Sequence, residues 1–66
     1  MRNFIVTPDG NRTSFKYPDD REIEIGTLID LFTKRNDIEV KTTHYVARID
    51  KLSREILYHV VPYIAD

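Results

Sequence analysis

His44 and His59 are the only histidines in the 66-residue chain, and metal binding is the first chemistry they suggest. Suppose Tyr45–Pro62 folds as a hairpin with Ile49 facing Ile56, Ala47 facing Tyr58 and Tyr45 facing Val60. Both imidazoles then lie diagonally on one face, with Val46 and Leu57 between them. Diagonal positions across an antiparallel pair stand roughly 7–8 Å apart, which just admits one bridging metal. The chain has no cysteine, and no acid falls nearby on that face to complete a ligand set. No metal and no cofactor is therefore expected, and both histidines read as surface or half-buried groups.

Asp19, Asp20, Glu22 and Glu24 form an acidic run broken by Arg21. The run lacks the alternating oxygens, central glycine and distal glutamate of a calcium loop. It reads as a solvated loop able to meet a basic partner. Ser14 and Ser53 have no strand–turn–helix context that would expose a nucleophile. Gly10 and Gly26 are the only glycines, too few for a phosphate-cradling loop. No catalytic residue is expected, and the chain reads as a non-enzyme.

Two groups of side chains remain. Arg2, Arg12 and Lys16 lie near Tyr17, a mixture that suits phosphate contact and base stacking along a single strand of nucleic acid. Tyr45, Tyr58 and Tyr63 crowd the C-terminal third. Tyrosine combines contact area with a polar tip and is enriched in interfaces.

The totals narrow the classes. Ten basic and eleven acidic residues leave a net charge of −1. That excludes a strongly basic nucleic-acid binder and disfavours an acidic nucleic-acid mimic. No apolar run nears the roughly 20 residues of a membrane helix, so no membrane partner is expected. "MRNFIVTPDG" is interrupted too early to be a signal peptide. A single domain over residues 1–66 in the cytoplasm is the reading. Without disulfides, a core this small is slim, which favours a homo-oligomer, most simply a dimer.

The elements that would position these residues follow from local pattern. "FIVTPDGNRTSFKY" places β-prone runs on either side of Asp9-Gly10, a hairpin signal. A two-residue turn would pair Phe4 with Phe15 on one face. A three-residue Pro8-Asp9-Gly10 loop would shift the register by one and mix the faces. The pairing of Phe4 with Phe15 is the preferred outcome. Ile23 and Ile25 alternate with glutamates, so a short third strand is expected there. "GTLIDLFTKRND" reads as a helix over about 27–36. Thr27 caps it, Asp30 lies three residues on, and Lys34 and Arg35 complement its dipole. "IEVKTT" alternates and reads as extended.

"YVARIDKLSREILYHVVP" satisfies helical and strand periods alike. Its valines, isoleucines and tyrosines favour strands, and Pro62 suits an extended end. The expected fold is α+β: a small antiparallel sheet built from an N-terminal and a C-terminal hairpin, with the one helix packed on one face. This element order resembles that of β-grasp folds. The chain ends in "PYIAD", without the di-glycine tail used in conjugation, so the likeness implies no conjugation chemistry.

Two functions are expected from this reading. The first is a non-catalytic protein-binding module: a small adaptor, regulator or inhibitor, of the kind phages encode against host proteins. Its contacts would be Tyr45, Tyr58, Tyr63, Asp19, Asp20 and Glu22. The alternative is a weak nucleic-acid binder using Arg2, Arg12, Lys16 and Tyr17.

Overall fold

The computed structural model of this protein describes residues 1–64. It contains five strands: β1 (Arg2–Val6), β2 (Arg12–Phe15), β3 (Leu28–Arg35), β4 (Ile38–Lys51) and β5 (Glu55–Pro62). They form one sheet in the order β2-β1-β5-β4-β3. Neighbours run antiparallel except β1 and β5, which pair in parallel. The sheet curls into a half-barrel. The described residues contain no helix, so the fold is all-β rather than α+β.

The expected helix over 27–36 is strand β3. Its residues pair one for one with the next strand, from Leu28 against Tyr45 to Arg35 against Ile38. The helical reading failed because Leu28, Ile29, Leu31 and Phe32 recur at helical spacing, whereas in the strand they fall two on each face. A helix this short is marginal by itself, whereas strand β4 offers a complete ladder for its backbone. Asn36-Asp37 is the two-residue turn between β3 and β4. Both residues hold positive φ, 51° and 63°, the conformation of a type I′ hairpin. With the helix gone, the resemblance to β-grasp element order goes too.

The N-terminal hairpin forms through the longer of its two turns. Thr7 N–H donates to the Asn11 carbonyl (3.0 Å), and Gly10 N–H donates to the Thr7 carbonyl (2.9 Å). Gly10 takes φ 89°, which a side chain at Cβ would strain. Phe4 therefore faces Ser14, and Asn3 faces Phe15. The expected Phe4–Phe15 pair does not form, because the register shift puts the two rings on opposite faces.

Tyr45–Pro62 belongs to a β4–β5 hairpin, but in a different register from the one expected. Ile49 faces Tyr58 and Lys51 faces Ile56. A bulge lies between Val46 and Arg48, so Ala47 has no partner and the side-chain alternation flips there. A bulge also sharpens local twist, which suits the curl of this sheet.

The core lies on the concave face. Ile5, Ile23, Ile29, Val46, Tyr58 and Val60 are buried, with Phe15, Tyr17, Leu31, Ile49 and Ile56 packed against them. Ile23 belongs to the 16–27 segment, which is not a strand. That segment lends Ile23 to the core in place of a helix. Tyr17 Oη accepts the Ile23 N–H (2.8 Å), and Gly26 N–H donates to the Val46 carbonyl (2.8 Å). Phe15 meets Tyr58 edge-on at 5.5 Å, a favoured geometry for aromatic rings.

Candidate functional site

Strand pairing sets what the β3–β4 hairpin can offer. β5 reaches only as far as His44, which faces Pro62. Before that point, β4 has β3 as its sole neighbour. Every residue from Phe32 to Thr42 is exposed. The end of the hairpin is thus an arm with solvent on both faces. Strand alternation puts Phe32 and Lys41 on the convex face, and Thr33, Val40, Arg35 and Ile38 on the concave face. Phe32 is 61% exposed and Ile38 is 65% exposed; Val40, Leu28 and Tyr45 on the same hairpin are also exposed. A two-stranded ribbon alone is at best marginally stable in water. This one carries apolar groups on both faces, where a solvated hairpin would carry polar ones. Lys34, Arg35, Asp37, Glu39 and Lys41 ring them with mixed charge.

Between the arm and the N-terminal hairpin lies a cleft of about 520 Å³. Ile5, Thr13, Leu31, Thr33, Thr42 and His44 line it, among others. The buried His44 donates from Nδ1 to the Thr42 carbonyl (3.2 Å). Thr7 and Asp9 also line it, the Thr7 hydroxyl donating to the Asp9 carboxylate.

The expected contact residues scatter. Tyr45 lies on the convex face between Leu28 and Val61, and is 37% exposed. Tyr63 follows β5 and is exposed, its N–H donating to the Thr43 carbonyl (2.9 Å). Tyr58 is 4% exposed and fills the core, so it cannot anchor a partner in this fold. Burial pushes its phenol pKa up, with the neighbouring Tyr17 adding to the shift. Asp19, Asp20 and Glu22 are exposed on the 16–27 segment.

The basic set divides. Arg2, Lys16 and Tyr17 share a recess of about 530 Å³ with Phe4 and Phe15. Arg12 lies elsewhere, on the convex face. It pairs with Glu55 at 2.7 Å and stacks over the Phe4 ring at 4.9 Å. Tyr17 is half-buried, its hydroxyl already engaged by Ile23.

The two histidines are on opposite faces. The shifted register puts His44 inside and pairs His59 with Arg48 outside. His59 Nε2 lies 2.8 Å from Asp50 Oδ2, which Arg48 also approaches at 2.8 Å. The Arg48 hydrogen bond is the main cause holding the Asp50 carboxyl below its usual range, helped by His59 against some desolvation. The bridging histidine pair therefore does not form. No group of three or more metal-binding side chains occurs among the described residues.

The arm is what sequence reasoning missed. Its available signal was Asn36-Asp37 between two β-prone runs, which the helical reading of 27–36 hid. No helix among the described residues is long and apolar enough to cross a membrane. Comparison of the chain with protein-family models, with curated proteins and with solved structures finds no match.

Proposed function

We propose that this chain is a non-catalytic protein-binding module, an adaptor, regulator or inhibitor, whose binding element is the β3–β4 arm. The observation that supports this is the arm's exposure of Phe32, Ile38 and Val40 on two faces. Exposed apolar groups inside a charged rim are the anatomy of a protein interface. The partner that fits is a protein with an apolar groove and mixed charge around it. The proposal puts the module in the cytoplasm, a compartment that suits a chain without cysteine.

The test is affinity capture from lysate with and without nuclease, using the wild type and an Ile38→Thr/Val40→Thr variant. Threonine keeps the strand preference and removes apolar contact. A protein retained after nuclease but lost with the variant supports the arm. A catch unchanged by the variant, or no catch at all, counts against it.

The second reading is weak nucleic-acid binding. It is favoured by the recess that places Arg2 and Lys16 beside Phe15 and Tyr17. It is weakened by the engagement of Arg12 with Glu55. A nuclease-sensitive catch whose affinity falls steeply with salt would establish it.

A further inference from the structure

β3 is an outer strand of the sheet and eight residues long. It has no proline and no bulge in its pairing with β4, two of the devices that protect an edge, and carries Asp30, Lys34 and Arg35 as its charges. One hydrogen bond sets the phase of its backbone. Val46 N–H donates to the Thr27 carbonyl (3.0 Å), so odd-numbered residues of this segment turn their polar groups toward β4. Antiparallel ladders alternate. The N–H and C=O groups of Leu28, Asp30, Phe32 and Lys34 therefore point away from the sheet. Among the described residues, none of these takes part in a backbone bond outside the ladder.

The side chains of those same residues share the convex face. Asp30 and Lys34 stand two residues to either side of the exposed Phe32. Thr43 Oγ1 donates to Asp30 Oδ1 (2.7 Å), which holds that carboxylate in place. Lys34 lies across from Glu39, yet the ion pairs among the described residues do not include it.

We propose that two copies of this chain join through β3, antiparallel, about a two-fold axis at Phe32. In that register Phe32 faces the partner's Phe32. Asp30 then faces the partner's Lys34, and Lys34 faces the partner's Asp30. Each of these pairs consists of residues with free edge groups, so each exchanges both backbone bonds. Sliding the register by two residues moves the axis to Leu31 or Thr33, between hydrogen-bonded pairs, sets Asp30 or Lys34 opposite Phe32 and loses both charge pairs. Charge complementarity selects the register at Phe32. The contact is isologous, so it closes on a dimer instead of propagating as a fibre. It buries part of Phe32 and leaves Ile38 and Val40 on the other face of the arm. The proposal rests on the arm being a binding element, and names the occupant of its open edge.

The test is sedimentation velocity over a concentration series. It uses the wild type, Asp30→Lys, Lys34→Asp, and a mixture of the two variants. The wild type should dimerise. Each single variant sets like charges opposite each other twice, and should raise the dimer dissociation constant roughly tenfold or more. The equimolar mixture restores both opposite-charge pairs in a heterodimer, and should dimerise again. That rescue also shows that both variants are folded. A wild type that stays monomeric up to roughly 100 μM, variants that dimerise like the wild type, or a mixture that stays monomeric would each overturn the register. None of those results bears on Ile38 and Val40, so the capture experiment judges the arm separately.

Discussion

Val40 and Val46 lie on the same face of the same strand, yet Val40 is 41% exposed and Val46 is 0% exposed. The difference is in what flanks them. Val46 faces Val60 across β5, and its backbone bonds Gly26 and Thr27 on the other side. Val40 has Thr33 of β3 across from it, and β5 does not extend that far. A strand with neighbours on both sides and a segment packed over it becomes core. The same strand with one neighbour becomes a surface. The 14 residues of β4 thus divide into a rooted half that makes the fold and a projecting half that is exposed to solvent.

That contrast can be broken most directly by paired truncation. Val46→Ala should cost about 2 kcal/mol, as lost burial plus a cavity. Val40→Ala should stay within about 0.5 kcal/mol, as for an ordinary surface change. Urea unfolding of both variants measures the two values, and equal losses would mean that the arm is packed as tightly as the core.

Titration sharpens the rooted side. The Tyr58 phenol is held above its ordinary value of 10.0 by burial. Only the neutral form suits the core, and the unfolded state ionises first. The Tyr58 contribution to stability should therefore be level below pH 10 and fall as pH rises through and beyond it. Tyr58→Phe should flatten that fall in urea melts repeated across the range. An unchanged slope would assign the alkaline loss to other groups.

The smallest effect is expected at the arm's turn. Asp37 holds φ 63°, a region where glycine carries no steric cost. Asp37→Gly should stabilise the hairpin by up to about 1 kcal/mol. Hydrogen exchange should slow at β3 and arm amides while the amides of β1 and β5 stay unchanged. Uniform slowing across the sheet would show the arm to be part of one cooperative unit with the core.

Turn chemistry was legible in the residues because it is local. Gly10 after Pro8-Asp9 marks a hairpin whatever surrounds it. The β-branched density of Tyr45–Pro62 likewise favoured strands over a helix. Register was not legible, since a shift of one residue at Pro8 or one bulge at Ala47 changes no local preference and moves every side chain beyond it to the other face. That is how Phe4 parted from Phe15, and His44 from His59. Leu28–Arg35 was misread because its apolar spacing is helical, and the ladder offered by β4 overrides that local pattern. The parallel pairing of β1 with β5, the burial of Tyr58 and the exposure of Phe32 are likewise outcomes of which strands meet. The sequence by itself determined the hairpin at Pro8-Asp9-Gly10, the β-rich character of the C-terminal segment and the balanced charge, because these depend on residue type and near neighbours. The tertiary structure alone decided which faces are covered, because burial depends on partners far away in the chain.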